Sequence, residues 1–137
     1  MTRRDARIHV MQMLFETDFQ PDKPVGDVYF LFKESMEIPD NDFMKDLFFG
    51  VCAHREAFDG LISKYAEGWS LDRISHVAHG AMLISIYEMY FRTDVPVKVS
   101  LNEALELVKA YDDVKAVGFV NGILNSIKDN RDRNPVE

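Results

Sequence analysis

Three arginines within the first seven residues, Arg3, Arg4 and Arg7, are the side chains of this chain best suited to chemistry on an anion. On a helix, residues three apart emerge as neighbours, so Arg4 and Arg7 can be presented side by side. A guanidinium is a planar fork of donors whose geometry matches phosphate oxygens. The same residues also suit a solvated helix end with Asp5 as their partner. The other reactive types point nowhere. Cys52 and His54 are two apart and leave a helix on different sides; His76 and His79 can face together, but no third ligand follows at a metal-site spacing. There is no nucleophile elbow, zinc-protease helix motif or glycine-rich phosphate loop. Asp112 and Asp113 fall in a turn with no sign of the burial that would make either an acid or base. The chain reads as a binding protein, not an enzyme, with no cofactor or metal implied.

A net charge of −7 counts against a general nucleic-acid binder. Its distribution says more: Arg3, Arg4 and Arg7 crowd the first helix with only Asp5 among them, whereas residues 16–46 carry nine acids against three bases. An acidic body with one basic edge can bind RNA locally while repelling it elsewhere. A length of 137 residues suffices for one domain with its own core. The single cysteine fits a reducing compartment. The opening residues lack the pattern of an export signal, and the apolar run at 77–91 is broken by His79, Ser85 and Glu88, as in a core helix and unlike a membrane span. The expected location is the cytoplasm.

The elements that must position the arginines are helical. A first helix runs from Thr2 or Arg3 to about Phe19, with Ile8, Met11 and Phe15 on one face and Val10 and Leu14 flanking it. Pro21 and Pro24 stiffen a connection to a second helix, Val25 to about Met36, with Val28, Leu31, Phe32 and Ser35 along one side. A third runs from about Asn41 to Glu67 on Phe43, Leu47, Val51, His54, Phe58, Leu61 or Ile62, and Tyr65; Gly50 and Gly60 within it suggest close helix packing. A short helix over 69–73 follows Gly68, and Ser75 caps a fifth to about Phe91. After Pro96, Ser100 and Glu103 have capping-box spacing, and Leu101, Leu105 and Val108 form a stripe. Beyond the turn at Tyr111-Asp112-Asp113, a last helix carries Val117, Val120, Ile123 or Leu124, and Ile127. That makes seven helices, no strand, and a frayed polar tail over 129–137.

The words at the two ends also resemble a family. Val99-Ser100-Leu101-Asn102-Glu103-Ala104-Leu105-Glu106-Leu107-Val108-Lys109, then Phe119-Val120-Asn121-Gly122-Ile123-Leu124, with Asp94-Val95-Pro96 leading in, resembles the C-terminal signature of the NusB transcription antitermination factors. Arg3-Arg4-Asp5-Ala6-Arg7 with Gln12, Leu14 and Phe15 is similar to the family's opening, and Asp46-Leu47, Gly50-Val51, Asp59, Ile62, Tyr65, Trp69, Val77, Ile84 and Tyr87-Glu88 extend the match through the middle.

The resemblance implies an all-α, seven-helix bundle forming a single domain, in two perpendicular subdomains of about 1–68 and 69–137. It implies binding of the boxA element of single-stranded RNA together with the ribosomal protein NusE, within the RNA polymerase antitermination complex, during ribosomal RNA transcription. By position, Arg3, Arg4 and Arg7 would meet phosphates, and Gln12, Phe15, Tyr65 and Tyr111 would line the RNA path. Phe15 fits the core stripe equally well. Ala78, Leu83, Asp112, Lys115 and Gly118 depart from the family's usual residues, so the 111–118 loop is rewired in charge. The rival reading is a helical protein-binding scaffold whose basic end is incidental. Similar domains are also fused to RNA cytosine methyltransferases; with no catalytic domain read in these residues, the expectation is that this chain is not itself an enzyme.

Overall fold

The computed structural model describes residues 1–136. Among them are six α-helices: α1 (Arg3–Phe19), α2 (Val25–Met36), α3 (Asp42–Tyr65), α4 (His76–Phe91), α5 (Val97–Tyr111) and α6 (Lys115–Asp129). There is no strand among the described residues. The short helix expected over 69–73 is one 3-10 turn, Leu71–Arg73, because three residues between Ser70 and the extended Ile74 cannot close an α-helical turn. Among the described residues the fold is all-α with six α-helices, not seven. No helix among the described residues is long and apolar enough to cross a membrane.

Local chemistry sets most helix starts. Thr2 and Asp5 make a reciprocal capping box on α1. Asn41 caps α3 by accepting from the Met44 N–H, and Ser75 caps α4 by accepting from Ala78. Gly68, at φ 79°, makes the left-handed turn after α3 that a side chain would resist. The capping box expected at Ser100 is absent. Pro96 stands at the N-cap and α5 begins a turn earlier, at Val97, which carries Ser100 into the interior.

α4 organises the rest. It is buried without interruption from Ala78 to Met89, as a helix apolar on all sides must be, and α1, α3, α5 and α6 all pack on it. One continuous core results, including Met13 and Leu14 of α1, Val28 of α2, Phe48 and Phe58 of α3, Met82 and Ile84 of α4, Val108 of α5 and Leu124 of α6. Two stripes read from the sequence are rotated. α1 buries Ala6, Arg7, Val10, Met11, Met13 and Leu14 while Phe15 faces out, and α2 buries Val28 and Tyr29 while Leu31 faces out. The polar tail is not frayed over its described length. Residues Arg131–Arg133 form a 3-10 turn, and Asn134 is bonded to both Tyr65 and Lys64.

The two glycines of α3 behave oppositely. A Cβ on Gly50 would overlap the ring of Tyr87, a ring anchored by its hydroxyl on Asp46 at 2.8 Å. At Gly60 nothing stands within 4 Å. Gly60→Ala should therefore stabilise the fold by about 0.5–1 kcal/mol through helix propensity. Gly50→Ala should destabilise it, since overpacking costs about 1–3 kcal/mol and the propensity gain does not recover that. Urea denaturation of the two variants checks the opposite signs.

Candidate nucleic-acid interface

On α1, Arg4, Ile8, Gln12 and Phe15 follow at helical spacings and form one outward face. α5 lies opposite and brings Glu103, Leu107 and Tyr111. The two helices border a groove whose narrow end, about 160 Å³, is lined by Arg4, Ile8, Glu103, Glu106, Leu107, Ala110 and Tyr111. Ile8 and Tyr111 also border a wider cleft of about 340 Å³, which Met11, Gln12, Phe15, His76 and Val77 complete. Phe15 is 41% exposed and Tyr111 53%, so two aromatic rings stand open in the same cleft. The structure thus brings together four of the residues singled out in the sequence: Arg4, Gln12, Phe15 and Tyr111.

The other three lie elsewhere. Arg3 is on the far side of the α1 terminus, bonded to Asp94 at 2.7 Å and seated 4.3 Å above the Phe43 ring. Arg92 shares both partners. Arg7 is buried, with Nε 2.8 Å from Oε2 of Glu88. It belongs to the core face of α1 and does not reach solvent where a phosphate would be. Tyr65 ends α3, where its hydroxyl accepts from Asn134 at 2.9 Å, and it does not line the groove.

Glu88 is the residue that sequence reasoning missed. One carboxylate oxygen takes Arg7 of α1, and the other accepts from the Ser100 hydroxyl of α5 at 2.7 Å. A single side chain of α4 therefore ties together the two helices that wall the groove. Desolvation pushes its carboxyl above the usual range, and the Arg7 charge and the Ser100 hydrogen bond hold it back. The signal was present as a lone acid in an apolar helix.

All three N-terminal arginines are paired with carboxylates. Arg4 makes a two-pronged contact with Glu103, at 3.0 and 3.1 Å, which raises its pKa further. Any anion entering the narrow end must compete with Glu103. The turn after Tyr111 is fixed as well: Asp112 accepts from Ser75, the cap of α4, and Asp113 accepts from the Lys115 N–H at 3.0 Å. Asp112 thus ties the turn beside Tyr111 to α4.

The NusB family model matches residues 4–129. The chain belongs to the NusB family. The transcription antitermination protein NusB of Bacillus pumilus is 40% identical over 128 residues, covering 93% of this chain and 95% of that one. Its Bacillus subtilis counterpart is 39% identical over 128 residues, with the same coverage. Among solved structures, NusB of T. maritima superposes with a TM-score of 0.85 at 30% identity, covering 98% of this chain and 94% of that one. A crystal structure of antitermination factors NusB and NusE in complex with double-stranded RNA gives 0.81 at 28% identity, covering 93% and 96%. The NusB-like fold therefore extends over nearly the whole chain, and the family is non-catalytic.

Proposed function

We propose that this protein is a transcription antitermination factor that binds boxA-type single-stranded RNA together with the ribosomal protein NusE, within the RNA polymerase antitermination complex, during ribosomal RNA transcription. The observation that carries this reading is the convergence of Arg4, Gln12, Phe15 and Tyr111 along one groove. A cation at the narrow end suits a phosphate, and two open rings at the wide end suit unpaired bases, a sequence-tolerant platform for single strands. The similar crystal structure that holds NusB and NusE in complex with double-stranded RNA supports the coarser part of this reading, a factor that acts with NusE and RNA. We read its location as the cytoplasm, where a factor acting on nascent RNA would operate. We read the chain as one domain of two perpendicular helical halves, 1–68 and 69–137; the continuous core on either side of α4 supports a single domain.

The test is a titration of boxA-type RNA, with and without NusE, across a salt series. Each phosphate neutralised on a single strand contributes about 0.7 to the log–log slope. Arg4→Ala should flatten the slope by about that amount, whereas an unchanged slope would remove Arg4 from the site. Glu103→Gln should tighten binding a few-fold, because it removes the carboxylate that competes with phosphate for Arg4.

One observation favours a second reading, a protein-binding scaffold without RNA. Trp69, Ile74, Ala78, Ala116 and Phe119 line a second, largely apolar cleft of about 530 Å³. Capture of NusE by the purified protein, with no affinity for RNA in either state, would favour the scaffold.

A further inference from the structure

The wide end of the groove contains a ring that the RNA reading does not use. His76, the first residue of α4, stands edge-on to Phe15, with centroids 4.6 Å apart and planes at 84°, and its side chain is 52% exposed. It lines the cleft beside Gln12 and Tyr111. Its Nδ1 lies 3.0 Å from Oδ2 of Asp18. An ionised carboxylate only accepts, so in the singly protonated ring the Asp18 contact puts the proton on Nδ1 and leaves Nε2 as an acceptor. Nε2 has no protein partner among the described residues.

The ring is held from behind. The other oxygen of Asp18 takes Arg55 at 2.8 Å, and Arg55 reaches Asp59 at 3.4 Å. Asp59 in turn accepts from Nε2 of His79, at 2.5 Å. This chain of charges joins α1, α3 and α4 under the cleft. It fixes the tautomer and pose of His76 much as an aspartate does for a histidine elsewhere.

We infer that His76 is a binding residue for the nucleotide that stacks in this cleft, its Nε2 accepting a hydrogen bond from a donor on that nucleotide, with Asp18 and Arg55 as positioning residues. The inference rests on the RNA-binding reading above. The donor is either a ribose 2′-hydroxyl or an exocyclic base amine. A phosphate oxygen is an acceptor and does not suit a neutral Nε2; Arg4 serves phosphate at the other end. A hydroxyl donor would let the cleft distinguish RNA from DNA.

The experiment uses the whole protein with NusE and a boxA-type single-stranded RNA, followed by fluorescence anisotropy. Three RNAs are compared at each nucleotide in turn: unmodified, 2′-deoxy and, at adenine, guanine or cytosine, lacking the exocyclic amine. His76→Phe keeps a ring against Phe15 and loses both nitrogens; it should weaken unmodified RNA by about two- to tenfold, the range of one net hydrogen bond. It should also erase the penalty that wild type shows for one modification. Loss at the deoxy position assigns the hydroxyl, and loss at the base assigns the amine. His76→Gln, which restores an acceptor, should recover part of the affinity, and Asp18→Asn should shrink the same discrimination. Unchanged affinity in His76→Phe, or an equal loss on every RNA, overturns the inference while leaving the RNA reading intact. Failure of the wild-type protein to bind overturns both.

Discussion

Glu88→Ala should cost about 3–5 kcal/mol of folding stability, the expected penalty for leaving a buried charge without its partner. Arg7 and Glu88 are 4% and 1% exposed, so the Arg7 guanidinium would lose its carboxylate with no water to replace it. Ser100 would lose an acceptor too, keeping only Ser85 beside it at 3.0 Å. Urea denaturation measures the loss, and a change under about 1 kcal/mol would mean that water or another carboxylate reaches Arg7. Glu88→Gln separates charge from shape. Because burial raises the folded pKa of Glu88 above its ordinary 4.5, the native state holds this proton more tightly than the unfolded chain. The resulting stabilisation is fullest below 4.5 and is lost as pH rises through the folded pKa. The glutamine variant should lack that decline. Asp5, Asp40 and Asp94 are shifted the other way, so their contribution is present above 3.8 and lost as pH falls through their folded values, outside the Glu88 window.

The same residue shows where sequence reasoning stops. Helical spacing puts Arg4 on the outward face of α1 correctly, since a period is a local property, whereas Gln12 comes from the family resemblance. The same spacing groups Arg7 with Arg4 because residues three apart are neighbours. What separates them is Glu88, 81 residues away, on a helix buried all round whose periodicity cannot say which way its one acid points. Ser100 misled for a related reason. Its spacing to Glu103 satisfies a capping box, but Pro96 had already fixed where the helix begins, and the freed hydroxyl bonds Glu88 instead. Phe15 was assigned equally to core and surface because it borders the apolar stripe, and only the seating of α1 on α4 turns it outward. Tyr65 was carried to the RNA path by family position alone; the docked tail holds its hydroxyl through Asn134. Its spacing to His79 suggests for His76 only a metal-ligand role, because its partner Asp18 is 58 residues away.

Tyr111→Ala should weaken RNA binding by about 1–3 kcal/mol, or about 5- to 150-fold, if one base stacks on the ring. Stability should barely change, since the side chain is 53% exposed and substitutions at such surface positions usually stay within about 0.5 kcal/mol. Tyr111→Phe should bind like wild type, because stacking needs the ring and not the hydroxyl of this exposed side chain. Phe15→Ala is less clean: it removes a second platform and also the ring against which His76 and Phe19 rest. The double variant resolves this. If Phe15 and Tyr111 grip the same nucleotide, their losses will not add, whereas bases stacked separately on each give additive effects. The two rings share one cleft with Gln12 between α1 and α5, which favours coupling. A Tyr111→Ala protein that binds boxA-type RNA within about twofold of wild type, well below the range for a lost stacking platform, would place the RNA path somewhere other than this groove.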